Sequence, residues 1–189
     1  LRALEVTWHK IEKNDVRIIW WSWTFYPEKY KRKFIKWIYD AFNSYEDMKK
    51  HIEKTDLSTN RFASFTIKDW YKIKKSKSLK QAKKINGAAK CRVIGIATEN
   101  RADLVSLEEI KQLREYWVTR VKIWYQTTID KINILNKRGH TNKESIKATK
   151  LLKDAWFKVV VHMMPNLLWS TPELDKESME NIFIDPNFR

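Results

Sequence analysis

Only three of the 189 residues are glycine, and ten are tryptophan. Glycine turns a chain through positive φ without a Cβ clash, so any fold with abrupt helix ends and tight turns draws on a supply of it. A soluble chain of this length ordinarily holds about 13, at roughly 7% of positions. Three and ten sum to that figure. The tryptophans also stand where the surrounding sequence asks for glycine. Residues 141–144, Thr-Asn-Lys-Glu, have capping-box spacing and open a helix that must stop before the strand-like run Phe157-Lys158-Val159-Val160-Val161. Trp156 occupies the stop. A second capping box, Ser106 to Glu109, opens a helix that meets Trp117 before another strand, and Trp8 repeats the pattern near the start. Trp169 falls in a turn-rich loop over residues 165–172.

Trp20, Trp21 and Trp124 form another group, directly after the strand-like runs Arg17-Ile18-Ile19 and Val121-Lys122-Ile123. In β/α folds such tips build the active site, and glycine there lets a ligand approach the backbone. We read these tryptophans as UGA codons that the source organism decodes as glycine. Trp23, and with it Trp37 or Trp70, reads as authentic. A tryptophan-rich surface that stacks on bases or sugars is the alternative; it leaves the missing glycines unexplained.

At 22.9 kDa the chain is large enough for one substantial core. It opens mid-helix and ends without a terminal cap, which predicts a fragment. No run of about 18 apolar residues and no signal peptide are visible, which predicts a cytoplasmic protein with no membrane span. Cys91 is the only cysteine, so an internal disulfide and a cysteine-only metal site are excluded, and its strand-like setting predicts buried packing. A net charge of +15 suits a polyanion such as RNA. An AT-rich genome, which favours lysine over arginine, accounts for the charge equally well.

Four strands are predicted, over residues 16–19, 91–97, 119–123 and 157–163, alternating with helices over 28–43, 79–86, 106–116, 127–137, 141–155 and 171–183. Strand and helix in this period imply parallel βαβ units. The expected fold class is α/β: an incomplete parallel, TIM-like β/α barrel of about four units, one partial core domain over residues 1–189. Residues 44–78 interrupt the pattern as a basic insertion with the run Lys72-Ile73-Lys74-Lys75-Ser76-Lys77 and an apolar stretch over 62–67. It reads either as a solvated loop or as a contact for a nucleic acid backbone.

Glu99, Arg101 and Asp103 follow the second strand, Gln126 follows the third, and His162 with Met163 ends the fourth. The convergence of several tips on one rim points to a shared site. Arg138-Gly139-His140-Thr141 joins two helices and reads as a turn with an N-cap. No nucleophile triad, phosphate-binding glycine loop or metal-ligand spacing is present.

With glycine restored at the suspect positions, residues 18–27, Ile-Ile-Trp-Trp-Ser-Trp-Thr-Phe-Tyr-Pro, resemble the IxGGTxxxxP segment of the radical SAM domain in the Elongator catalytic subunit family. Thr98-Glu99-Asn100-Arg101-Ala102-Asp103 resembles that family's ETRPD, and Ile123-Trp124-Tyr125-Gln126-Thr127 its IGVQS. Residues 136–141 are similar to its NRGHT, residues 157–167 to FKVVxHMMPxLP, and the final residues to FxNPxFRPD. The resemblance implies an enzyme that forms 5-carboxymethyluridine at the wobble position of tRNA. Its cofactors would be a 4Fe-4S cluster, S-adenosylmethionine and acetyl-CoA; the 5′-deoxyadenosyl radical takes hydrogen from the acetyl methyl and the carbon radical adds to uridine. By the same likeness Trp20, Trp21, Glu99 and Gln126 line the S-adenosylmethionine cavity, and Lys13 contacts acetyl-CoA. Arg101, Arg138, His140 and His162 are further cavity or substrate candidates.

In the family the cluster cysteines lie upstream of Leu1 and the acetyltransferase domain beyond Arg189, so no metal ligand is expected in these residues and they are expected to be inactive alone. Partners implied are tRNA and a homo-oligomer or an Elongator-like assembly. Ala102, Lys122 and Leu168 depart from the family pattern, standing where it has proline, glutamate and proline. Two other readings stay open: a non-catalytic, basic, tryptophan-rich RNA-binding module, and a radical SAM enzyme acting on a small molecule.

Overall fold

Pro27 directly precedes the first long helix, and from Leu79 onward helices and strands follow in the order the periodicity predicts. A computed structural model describes residues 1, 9–19, 22–55, 64–67 and 72–188. Trp8, Trp20, Trp21 and Trp70 lie outside the described residues. In order the elements are β1 (Lys13–Arg17), α1 (Glu28–Asn43), α2 (Tyr45–Met48), β2 (Ile52–Thr55), β3 (Ser64–Ile67), α3 (Leu79–Ala88), β4 (Arg92–Arg101), α4 (Leu107–Glu115), β5 (Arg120–Gln126), α5 (Asp130–Leu135), α6 (Asn142–Asp154), β6 (Lys158–Met163) and α7 (Pro172–Ile184). No helix among the described residues is long and apolar enough to cross a membrane.

One sheet has the strand order β1-β4-β5-β6. β4 and β5 are parallel, with Ala97 opposite Arg120 and Arg101 opposite Trp124, and β5 and β6 are parallel from Arg120 opposite Lys158 onward. At the β1 edge the Arg92 N–H donates to the Glu12 carbonyl and the Ile18 N–H to that of Ala97, so the pairing advances in the same sense along both strands. Four parallel strands with helical crossovers are an α/β sheet, half the number that closes an eight-stranded barrel. The basic insertion holds structure the periodicity did not predict: the short α2, and an antiparallel pair of β2 with β3 in which Ile52 faces Ile67.

The chain divides into two compact units, Leu1–Val16 with Glu28–Ile94, and Arg17–Pro27 with Gly95–Arg189. In the first, α1 buries Lys31, Ile35 and Tyr39 at a four-residue spacing, the stripe of a helix with one packed face. Burial raises the Tyr39 hydroxyl pKa above the ordinary phenol value. Asn86 of α3 donates to the Asn43 side chain at 2.8 Å and accepts from the Val93 N–H at 2.9 Å, tying both helices to the start of β4. Cys91 is buried beside Ile11 and Tyr45, as its setting predicts.

In the second unit α4, α6 and α7 start on side-chain caps, whereas α5 starts at Ile129 without one. The Ser106 hydroxyl accepts the Glu109 N–H, Thr171 accepts that of Leu174, and Thr141 with Glu144 forms a reciprocal capping box. α4 and α6 end in matched fashion. Trp117 N–H donates to Arg114 O at 3.0 Å and Val118 N–H to Leu113 O at 3.0 Å; Trp156 N–H donates to Lys153 O at 2.8 Å and Phe157 N–H to Leu152 O at 3.0 Å. Paired bonds of this span form a Schellman motif, whose C′ residue is left-handed. That residue is Trp117 at φ 61° and Trp156 at φ 62°. α5 is shorter than the predicted 127–137 because Thr127 and Thr128 are drawn into bonds with Ser178 of α7 instead of helical ones.

Candidate functional site

Parallel strands bring their C-terminal ends to one edge, and in α/β folds ligands bind there. Strand alternation and the register of β4, β5 and β6 sort the side chains by face. Val121, Ile123 and Tyr125 are wholly buried on one face, where the Tyr125 hydroxyl donates to the Ser145 carbonyl at 3.1 Å and pairs with the Thr149 hydroxyl at 2.6 Å, both on α6. Burial raises the Tyr125 pKa, opposed by the Thr149 bond, so the phenol stays neutral and serves as a packing anchor.

The opposite face is polar. Glu99 sits across from Lys122, Arg101 from Trp124, and Trp124 in turn from His162. Glu99 is buried and its carboxylate meets the Lys122 amine at 3.0 Å. Gln126 closes β5 in a left-handed backbone at φ 68°, at a register shift against β6, and its carbonyl accepts the Met164 N–H at 2.7 Å. Such a conformation costs about 1–3 kcal/mol in a non-glycine residue and concentrates at functional sites. The Gln126 Oε1 is buried with no hydrogen-bond partner among the described residues. A buried, unpaired acceptor on a strand tip is a group that a polar ligand would satisfy.

Comparison with known proteins gives the rim a setting. The chain is 43% identical over 115 residues to the tRNA uridine(34) acetyltransferase of Methanocaldococcus infernus, a match covering 61% of this chain and 22% of the relative. It is 25% identical over all 189 residues to Elongator complex protein 3 of Homo sapiens, covering 29% of that protein. No family model matches. Among solved structures, an N-terminally deleted Elp3 of the archaeon M. infernus superposes with a TM-score of 0.81 at 33% identity, over 99% of this chain and 37% of that one. The chain is a relative of the Elongator catalytic subunits. It spans between about a fifth and three tenths of the length of these curated relatives.

Around the rim, the motif residues divide by what they touch. Arg101 grips Asp103 with two bonds, at 3.0 and 2.8 Å, reaches the Gly139 carbonyl at 3.4 Å, and lies 5.6 Å from the Phe25 ring centroid. A Cβ on Gly139, at φ 75°, would come within 2.5 Å of the Arg101 guanidinium. The ETRPD-like and NRGHT-like segments therefore meet through one arginine, and the glycine is what lets it lie flat against the turn. His140 is buried with Nδ1 3.2 Å from the Arg138 carbonyl and Nε2 3.2 Å from the Tyr125 carbonyl, bracing that turn against β5. Arg138 reaches the Met164 sulfur at 3.6 Å. His162 is exposed on the rim, and Lys13 is exposed at the start of β1, in the first unit. Trp20 and Trp21 lie outside the described residues.

The sequence reading did not pair Lys122 with Glu99. Only the strand register reveals that pairing, and without it Lys122 is one more lysine in a lysine-rich chain. The Ser178 hub was missed for the same reason. It accepts from the Thr127 hydroxyl and the Thr128 N–H, across about 50 residues of sequence with no local signal.

Proposed function

We propose that this chain is the central part of a tRNA-modifying enzyme that acts on the wobble uridine through S-adenosylmethionine radical chemistry, with acetyl-CoA as carbon donor. The observation that carries the reading is the likeness of nearly the whole chain to an archaeal Elp3, with the collinear motifs seated on the strand tips. When bound, S-adenosylmethionine supplies a carbon radical to such a reaction. The residues here fit it as acceptors: the Glu99 carboxylate suits an ammonium group and the unsatisfied Gln126 Oε1 suits a hydroxyl or amine donor. Lys122 holds the carboxylate in place, and the buried Tyr125 face keeps β5 rigid behind it. A 4Fe-4S cluster does not fit the residues of this chain. Cys91 is its only thiol, and the described residues hold no cluster of three metal-ligating side chains.

The test uses the full-length protein. Nucleoside mass analysis of tRNA after incubation is expected to show a carboxymethyl-type mass gain at uridine 34. Gln126→Ala and Glu99→Gln are expected to weaken S-adenosylmethionine binding, measured by calorimetry without acetyl-CoA. The loss expected for buried hydrogen bonds to a charged ligand is about 10- to 100-fold. Unmodified uridine 34 with the wild-type enzyme, or full-strength binding by both variants, overturns the reading.

A further inference from the structure

Helix α1 carries a second surface, in the first unit, that the strand-tip site does not use. Its buried side holds Lys31, Ile35 and Tyr39. At about 100° per residue, Tyr30, Lys33, Phe34 and Trp37 line the outward side as one stripe. Tyr30 and Trp37 are each 43% exposed. Tyr30 stacks on Phe34 with centroids 6.0 Å apart and planes 20° from parallel, and the Lys33 amine lies 4.8 Å from the Trp37 centroid. Trp37 has ordinary helical backbone, where glycine would cost about 1 kcal/mol, so it does not occupy a glycine's place.

The basic segment 72–77 is fastened beside this helix. Asp40 is buried, accepts the Ser76 N–H at 3.1 Å and its hydroxyl, and pairs with Lys36 at 2.7 Å. This clasp borders an open cleft of about 270 Å3 lined by Lys74, Lys75 and Lys77. Residues 72–84 hold seven lysines and no acidic residue. Lys74 lies 3.6 Å from Asp47, but both side chains are largely exposed, so the pair is screened and weak.

We propose that α1 and the clasped segment 72–77 form a docking surface for single-stranded RNA, in which Tyr30 and Trp37 stack on bases while Lys33, Lys74, Lys75 and Lys77 contact phosphates. Aromatic faces interleaved with lysine are the chemistry that binds single strands without sequence preference. A lipid surface would need a broad apolar face on the helix, whereas this stripe is narrow and carries a hydroxyl and an amine. That the polyanion is RNA rests on the tRNA reading above; the position of the surface does not.

The experiment measures anisotropy of a labelled mixed-sequence RNA oligomer with the full chain over a range of salt, with circular dichroism confirming that each variant is folded. Lys74→Gln, Lys75→Gln and Lys77→Gln together are expected to flatten the slope of log K against log salt by about 2, at roughly 0.7 per phosphate contact. Tyr30→Leu with Trp37→Leu is expected to lower affinity about 10-fold or more with the slope unchanged, from stacking worth about 1–3 kcal/mol per base. Heparin, a polyanion without bases, is expected to feel the lysine changes and not the aromatic ones. Lys75→Glu alone provides a second variant should the triple change unfold. RNA affinity and slope within about twofold of wild type in both sets overturn the proposal, as does an aromatic variant that loses binding to phosphatidylserine vesicles but not to RNA. Uridine modification that persists alongside RNA binding unmoved by the variants removes the surface alone. RNA binding that moves as expected while uridine 34 stays unmodified removes the catalytic reading alone.

Discussion

Trp117 and Trp156 hold backbone angles that an L-residue reaches at a cost of about 1–2 kcal/mol, because the Cβ crowds the neighbouring carbonyl. The Trp156 indole, 87% exposed, gains little from burial, whereas Trp117, 51% exposed, is half-buried. Trp169 repeats the case at φ 69°, where the Ser170 N–H closes on Leu167 O at 2.9 Å and makes Trp169 the third residue of a turn. A type II turn asks for glycine there and favours proline just before, the position that Leu168 fills. Trp156→Gly is therefore expected to stabilise the chain by about 1 kcal/mol, a rise of roughly 2–4 °C in Tm, and Trp117→Gly by somewhat less. Trp23→Gly should do the opposite. This side chain is 1% exposed, 6.1 Å from Tyr26 and edge-on to Tyr116 at 6.4 Å, and removing it leaves a cavity costing about 3–5 kcal/mol. Thermal melts in which Trp156→Gly lowers Tm would defeat the glycine reading. The two helix ends were legible because capping boxes and strand runs bracket them. Gln126, equally left-handed, was not, since its strain arises from a register shift that only the paired strand defines.

Local signals also located the elements: serine and threonine caps, apolar spacing of 3.6 on helices, and valine-rich runs set α4, α6, β6 and α7 to within a few residues. Side-chain hydrogen bonding shortened α5, and the β2–β3 pair lacked the two-residue turn signal that betrays a hairpin. The α6 cap makes a pH prediction. The folded state bonds the Glu144 carboxylate to the Thr141 hydroxyl and N–H, which holds its pKa below the ordinary value of 4.5. On acidification the unfolded chain takes up this proton first, so the cap's contribution is complete above the unfolded value and lost as pH falls through the folded one. Urea midpoints measured from about pH 6 to pH 3 should decline less steeply for Glu144→Gln than for wild type. Parallel curves would remove Glu144 from the acid response.

At the scale of the molecule, Trp23, Trp37, Trp117, Trp156 and Trp169 among the described residues separate by physical role, and that separation is itself testable. Trp23 is core and Trp37 belongs to a helical aromatic stripe, so both earn their indole by packing or stacking. Trp117, Trp156 and Trp169 bend backbone that glycine bends freely, and two of the three glycines present, Gly87 and Gly95, sit in a helix and a strand where no bend is needed. A composition drawn at random would not sort in this way; a single recoded codon would. Peptide mass spectra of the protein isolated from its source organism are expected to show glycine at 117, 156 and 169, and at 8, 20, 21 and 124 on the sequence argument, with tryptophan retained at 23 and 37. Genuine tryptophan at both 117 and 156 would mean that the organism makes and tolerates two strained helix ends, and the single-codon account of the missing glycines would fall with them.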